Sequence, residues 1–438
     1  MAYRNVEVLR VEIFGRRVGA VAASATGRVF AFEYEPSWLR SGLQLAPLLM
    51  PAQTRGRRQF EFPQLNAETF MGLPPMLADS APDRFGNGII DAALAREGVA
   101  PGEVSALDRL SYVGRRGMGA LTFIPDTAPR LEPTSLELQR LVEAARAAVD
   151  GTLDERGSTE SLNQLLSVGT SAGGARAKAV VAYNPSTREM RAGGIAAPDG
   201  FEQWLLKFDG VGADQQLGAG GEYGRTEFAY SRMAAAAGVE MSETQLVEEG
   251  GRAHFFTKRF DRIGTGAHEQ RLHMQSLCAL AGADFNQVGV HDYASLFTTA
   301  RQLGLEVAGP VGVQLLRRAS FNVLASNNDD HTKNHAFLMD ESGVWSLAPA
   351  YDLTFAYNPA GAWTSQHLMS VDGEFGMITR RQLHALGDRF DVPGYRAVVG
   401  EVADAIARWR EFANEARLGA PRADVIDARL RDVRAGFG

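Results

Sequence analysis

A single cysteine, Cys278, stands in 438 residues, so an intrachain disulfide and any cysteine-built metal cluster are excluded. Cys278 lies in an apolar stretch of helical spacing, where a buried small side chain is expected rather than a reactive thiol. The eight histidines show no metal-ligand spacing. No apolar run approaches the roughly 18 residues of a membrane-spanning helix. The first residues carry Arg4, Glu7, Arg10 and Glu12 and so lack the apolar core of a signal peptide. The expectation is a cytoplasmic protein with no membrane role. Long low-complexity tracts are also missing, and 45% apolar with 22% charged residues predicts a globular chain throughout. Excess positive charge is absent. Lys plus Arg number 45 against 52 Asp plus Glu, a net charge of −7, so the whole surface is no nucleic-acid footprint, although a local basic patch stays compatible with it.

The length exceeds one ordinary domain and predicts two or three units. Val6, Val8, Val11 and Ile13 alternate with polar residues, with a phase slip at Leu9-Arg10. A turn at Gly15-Arg16-Arg17 joins this strand to a second at 18–22, and a third follows at 30–34. Helices are predicted at 83–97 and from Pro101 to near Gly114, a strand at 121–124, and a linker at 125–133, with a domain boundary around 125–135. A helix at 135–150 precedes the glycine-rich stretch Gly169 to Lys178. Strands follow at 179–183, 203–208 and 253–257, with a helix at 226–237 stopped by Gly238. Beyond about residue 268 the pattern is mainly helical, ending in two helices between Pro393 and Leu430. Apolar runs at 335–339 and 344–348 flank Asp340-Glu341-Ser342-Gly343 and predict a hairpin. Pairing Met339 with Val344 sets Asn334 opposite Pro349. The fold class expected is α+β and two-lobed. The division is a β-rich part at 1–130, a lobe with the glycine-rich loop at 131–260, and a helical lobe at 261–438. A crevice between lobes is a natural ligand site.

Asn328-Asp329-Asp330-His331-Thr332-Lys333-Asn334, followed by Ala350-Tyr351-Asp352-Leu353, is the most informative stretch. Phosphoryl transfer needs one carboxylate to orient a hydroxyl, and an amide with a second carboxylate to hold magnesium. Asp329, Asn334 and Asp352 supply that set at one end of one hairpin. Each has an ordinary reading as a turn or capping residue; together, downstream of a glycine loop and a strand lysine, they favour catalysis. Asp330 is the rival base, and Asp329 is preferred for standing five residues before Asn334. His331 is expected to pack within the loop, and Lys333 to neutralise a phosphoryl group. Gly173 and Gly174 allow backbone N–H groups to face phosphate oxygens, though Ala175 stands where a P-loop needs lysine. Ser171 is a hydroxyl in that loop, open to phosphate or serving as a turn former. Lys207, inside the apolar Trp204 to Phe208, needs an anion or a route to the surface. Glu227 is either its acidic partner or a charge favoured at a helix N-terminus.

The order of these motifs resembles the HipA family of bacterial toxin serine/threonine kinases over nearly the whole chain. Gly15 to Gly19, Phe32-Glu33-Tyr34, Leu77 to Gly86, Leu107 to Leu110 and Gly117 to Leu121 look like that family's N-terminal parts. Ser171 to Lys178 resembles its glycine-rich loop, Lys258 to Arg262 its hinge, and Asp329 to Asn334 its catalytic loop. Ala350 to Leu353 stands where protein kinases carry their magnesium-binding Asp-Phe-Gly.

The resemblance implies a protein-kinase-like fold using ATP and magnesium. Asp329 would be the base, Asn334 and Asp352 the magnesium ligands, and Ser171 an autophosphorylation site. Nucleotide contacts would come from Ala172, Gly173, Gly174, Ala175, Arg176, Ala177 and Lys178, from Lys207, from Lys258, Arg259 and Phe260 beside adenine, and from His331, Lys333 and Tyr351. It also implies a small DNA-binding, HipB-like antitoxin, with DNA reached only through it. The implied substrate is a protein of translation, typically an aminoacyl-tRNA synthetase such as glutamyl-tRNA synthetase. Lys258 departs from the acidic residue usual at the hinge, and the doubled Asp329-Asp330 is a second departure. Rival readings are a small-molecule or lipid kinase and a non-catalytic nucleotide-binding co-repressor.

Overall fold

The computed structural model describes residues 3–53, 55–129, 137–149, 159–169, 176–194, 197–211 and 221–438. It contains both sheets and helices, as an α+β chain must. The chain divides into two compact units. One is formed by Met1–Gly212, Phe256–Gln275 and Leu338–Val344, the other by Ala213–Phe255, Ser276–Phe337 and Trp345–Gly438.

The first unit opens with an antiparallel sheet in the order β4-β3-β2-β1-β5, made of β1 (Val8–Ile13), β2 (Arg16–Ala23), β3 (Phe30–Tyr34), β4 (Gln59–Phe60) and β5 (Thr122–Ile124). The alternation that sets the inward face runs through Leu9, Val11 and Ile13, all buried, while Val8 is 57% exposed. The phase slip expected at Leu9-Arg10 is therefore absent: Leu9 is simply the first inward residue. The irregularity falls later, as a register shift between Val11 and Glu12. Phe32, Tyr34 and Phe60 meet edge to face at 4.9 and 5.8 Å, closing the sheet's core.

Two helices follow. Asp83 caps Arg84–Ala95 by accepting from Gly86 N at 2.7 Å, and Ser105 with Asp108 forms a capping box on Ala106–Val113. Leu138–Val149 and Thr159–Gly169 are helical too; the second has no counterpart among the sequence expectations. A further sheet orders β7 (Met190–Ala192), β6 (Lys178–Tyr183) and β8 (Glu202–Lys207), and continues into the Phe256–Lys258 end of the strand Arg252–Lys258. Every residue of β6 is buried. Trp204 stacks on Phe256 at 4.6 Å, which fixes that edge.

Next to it lies a buried charge cluster. Asp261, fully inaccessible, accepts from Arg259 Nε and a terminal nitrogen (2.9 and 2.7 Å), from Arg262 (2.7 Å) and from Gly119 N (2.6 Å). The arginines in turn donate to the carbonyls of Gly117 and Gly119, and Arg271 adds another bond to Gly119 O at 2.9 Å. Burial opposes the charged form of Asp261, but the arginines outweigh it and hold the carboxyl far below the usual range.

The second unit is mostly helical, with a core around Tyr230 of Tyr223–Ala236. Trp409 and Phe321 lie against its ring at 5.5 and 6.1 Å, and its hydroxyl donates to Ala325 O at 2.7 Å. Tyr293–Gln302, Pro310–Leu324 and Arg380–Arg389 complete that core. The stretch expected to hold two terminal helices holds three, Tyr395–Ala407, Trp409–Glu415 and Ala420–Gly436. The break at Arg408 swings Trp409 inward, where its indole donates to Ala423 O at 3.1 Å.

Two buried histidines make the fold sensitive to acid. His273 in the first unit and His335 in the second are each pushed down to about 4, first of all by burial. Both are neutral in the folded chain, whereas an unfolded histidine binds a proton near 6.5. Their contribution to stability is thus complete above about pH 6.5 and declines as pH falls from there toward 4. A shift of this size corresponds to about 3 kcal/mol per histidine. Urea unfolding at pH 7, 5.5 and 4.5 should show that decline, and His273→Asn should flatten its slope by roughly half.

Candidate active site

Pro310–Leu324 delivers the chain to the stretch Asn328 to Asn334, and Ser326 turns it with a positive φ of 52°. Asn327 and Asn328 are buried. Asn327 donates to Asn322 Oδ1 at 2.9 Å, and Asn328 to Thr364 O at 3.0 Å. The two adjacent aspartates then part company. Asp330 is fully buried, and both its oxygens are occupied. Oδ1 accepts from Leu368 N (2.8 Å) and Met369 N (3.3 Å). Oδ2 accepts from Tyr293 Oη (2.8 Å) and lies 3.0 Å from His367 Nδ1. Burial, with Asp330 adding to it, raises the Tyr293 hydroxyl well above its ordinary range, so it stays a donor. A carboxylate so occupied is a structural anchor.

Asp329 keeps a side chain 35% exposed. Its Oδ1 accepts from Trp363 Nε1 at 2.7 Å and lies 3.8 Å from His331 Nε2. Burial raises the Asp329 carboxyl above the usual range. His331 and the Trp363 bond work against the rise, while the charges of Asp352 and Asp330 add to it. Asp329 and Asp352 are thus close enough to repel, which is the condition under which a cation between carboxylates is favoured.

Asn334 ends the short 3₁₀ turn Thr332–Asn334 and donates Nδ2 to Asp329 O at 2.8 Å. That bond fixes the side-chain amide by its nitrogen. The hairpin carries the chain from Asn334 to Asp352 through Ala336–Met339 and Trp345–Leu347. Its register differs by one residue from the sequence expectation. Asp340 N donates to Val344 O and Ala348 N to Ala336 O, so Met339 lies opposite Trp345. The cause is the turn. Asp340 Oδ1 accepts from Ser342 N and Val344 N, and Gly343 adopts φ +90°, so Glu341 to Gly343 form a three-residue loop. Arg318 anchors the exit by donating to Ala348 O at 2.6 Å, and Ala350 N bonds Glu240 O at 2.8 Å. Tyr351 Oη donates to Lys333 O at 2.6 Å, tying the residue before Asp352 to the residue before Asn334. Asp352 itself has φ +57°, a conformation that aspartate tolerates better than most side chains.

Among the described residues no three histidine, cysteine or carboxylate side chains are grouped for a metal. One carboxylate and one amide oxygen are instead the sparse, hard donor set that suits magnesium, which takes its remaining ligands from phosphates and water. The site's residues fit that ion.

The other sequence-selected residues divide between the units. Ser171, Ala172, Gly173, Gly174 and Ala175 lie outside the described residues. In the first unit, Lys178 and Lys207 face each other across β6 and β8, 3% and 9% exposed, and Lys178 Nζ is 3.3 Å from Asp83. Arg176 and Ala177 lead into β6. Lys258 Nζ meets Glu202 Oε1 at 2.5 Å; Arg259 belongs to the Asp261 cluster, and Phe260 follows it. In the second unit, Glu227 is 2% exposed within Tyr223–Ala236, so it is not a solvated helix-end charge. His331 and Lys333 both lie against Phe285, at 5.2 and 5.3 Å. Residues that the spacing did not single out are Trp363, Tyr293, Asn322 and His367. A tryptophan within the polar, glycine-bearing stretch 358–366 was the available signal.

The chain is an enzyme of the kinase class. It belongs to the HipA family: the HipA-like C-terminal domain matches residues 170–430 and the HipA N-terminal domain residues 9–124. It is 24% identical over 413 residues to the serine/threonine-protein kinase toxin HipA of Shewanella oneidensis, covering 90% of this chain and 86% of that one. It is 25% identical over 462 residues to Y4mE of Sinorhizobium fredii, a protein named for a kinase, covering 98% and 99%. The solved complex of Shewanella oneidensis HipA, HipB and operator DNA contains a chain of like fold, with TM-score 0.66, 20% identity, and 98% and 96% coverage. No helix among the described residues is long and apolar enough to cross a membrane.

Proposed function

We propose that this chain is an ATP- and magnesium-dependent serine/threonine protein kinase and the toxin of a toxin–antitoxin pair. The observation that carries the reading is the arrangement of Asp329, Asn334 and Asp352, with Asp330 withdrawn from chemistry into the core. Asp329 accepts the acceptor's proton as the hydroxyl oxygen bonds the γ-phosphorus; the β–γ bridging bond breaks, and ADP leaves with its electron pair. Magnesium, when bound, supplies charge neutralisation at the β- and γ-phosphates. Asn334 Oδ1 and Asp352 would hold it, and Lys207 would meet the α/β-phosphates. Lys258 to Phe260 would border the adenine. The three-part division at about 130 and 260 belongs to this reading.

The expected partner is a HipB-like DNA-binding antitoxin, on the strength of the relative solved with HipB and operator DNA. The expected substrate is a protein of translation. Ser171 is the expected self-limiting site: a phosphate there adds about −1.5 to −2 charges to a loop made for ATP phosphates and should repel nucleotide. Intact mass with and without magnesium and ATP tests the reading. One phosphate should appear, mapping to Ser171, and the gain should vanish in Ser171→Ala. An unchanged mass in a chain that binds ADP would count against it, and would favour a nucleotide-binding co-repressor.

A further inference from the structure

Three consecutive residues of the catalytic stretch each hold one part of the segment 363–370. Asn328 Nδ2 donates to Thr364 O at 3.0 Å, Asp329 Oδ1 accepts from Trp363 Nε1 at 2.7 Å, and Asp330 takes the backbone N–H groups of Leu368 and Met369 together with His367. The far end is fixed as well. Ser370 Oγ donates to Asp292 Oδ2 at 2.6 Å, and Met369 and Ser370 bridge in parallel to His291 and Asp292. Trp363 is therefore not a loop side chain that happens to touch the base. Its backbone is held on the C-terminal side by Thr364, which is 1% exposed and also accepts from Asn358 N at 3.3 Å. A segment held at so many points presents the indole N–H to one chosen oxygen.

We propose that Trp363 is a positioning residue of the phosphoryl-transfer site, resting on the kinase reading above. By occupying Oδ1 it fixes the rotation of the Asp329 carboxylate, so that Oδ2 is the oxygen facing the acceptor hydroxyl. The acceptor's proton goes to Oδ2, its oxygen bonds the γ-phosphorus, and the bridging oxygen departs with ADP. Without the indole N–H, the carboxylate turns between orientations, and only a fraction of them accept that proton. Nucleotide binding does not involve Trp363 in this scheme, so turnover and nucleotide affinity should separate. A tryptophan that merely packs would tolerate loss of its N–H.

The test uses the full chain and γ-labelled ATP with magnesium, following label transferred to the protein as ATP is varied. Trp363→Phe should lower the maximal rate about 10–100-fold. The half-saturating ATP concentration, and ADP affinity by calorimetry, should stay within about twofold. Adding Trp363→Phe to Asp329→Ala should reduce the residual rate no further, because the two act as one unit. Trp363→His keeps a ring N–H and should transfer faster than the phenylalanine variant. A wild-type rate in Trp363→Phe, additive losses in the double variant, or a histidine variant no faster than phenylalanine would each overturn the proposal. A parallel loss of ADP affinity would as well, because it marks a collapsed site. A wild-type chain that binds ADP but transfers no label would instead remove the kinase reading, and the proposal with it.

Discussion

Replacing Asp329 by alanine should lower phosphoryl transfer by about 10²–10⁴-fold while leaving the protein folded. The side chain lies 35% open to solvent, and the hydrogen bond it accepts comes from Trp363, itself only half-buried. On the proposed reading, Asp352→Ala should give a loss at least as deep, since it would take a charged ligand from a site where catalysis is positioning and neutralisation. The neighbouring residue should behave in the opposite way. Asp330→Ala strands two backbone N–H groups, the Tyr293 hydroxyl and His367 in a fully buried place, and should cost about 3–5 kcal/mol of stability. Label transfer and denaturant unfolding measured on both aspartates separate the roles. Wild-type transfer by Asp329→Ala, or a fully stable Asp330→Ala, would show that the two have been assigned the wrong way round.

An equally large effect on stability is expected at Asp261. Asp261→Asn leaves Arg259, Arg262 and Arg271 facing one another with their fully buried counter-charge removed, all within the first unit. Breaking one side of a buried ion network costs about 3–5 kcal/mol, which is comparable to the stability of many domains. The midpoint of urea unfolding should fall steeply, and much of the expressed protein should be insoluble. Restoring a negative charge with Asp261→Glu should not recover the wild-type midpoint. The bonds to Gly119 N and the arginines, at 2.6–2.9 Å, leave no room for another methylene. A midpoint unchanged in Asp261→Asn would mean that Glu269, 3.8 Å from Arg262, and the Gly117 and Gly119 carbonyls suffice to hold the arginines.

Local pattern makes much of this architecture legible. Arg84–Ala95 is legible as the helix expected at 83–97, the strand Phe30–Tyr34 through the Gly27 turn before it, and the hairpin through the Asp-Glu-Ser-Gly turn. The hairpin's register is not, because a three-residue and a four-residue loop share the same turn letters; the choice depends on whether Asp340 bonds across to Val344. Thr159–Gly169 is hidden because its glycine end merges into the glycine-rich stretch that follows. At the site, Asp329, Asn334 and Asp352 can be selected from spacing. Spacing also prefers Asp329 to Asp330, but the bonds that hold Asp330 in the core are not legible, because they come from Tyr293, His367, Leu368 and Met369, more than 35 residues away on either side. Trp363 stands out only as a tryptophan in a polar stretch; its bond to Asp329 is not legible.

The strand Val8–Ile13 lies inside its sheet, not at an edge, with Arg16–Ala23 on one side and Thr122–Ile124 on the other. On the ribosome, one flank of that strand waits for a partner made more than a hundred residues later. Until then the nascent polypeptide carries an open row of main-chain donors and acceptors at Arg10 to Glu12, the kind of edge on which chains adhere to one another. Growth temperature and translation speed should therefore affect the soluble yield of this protein.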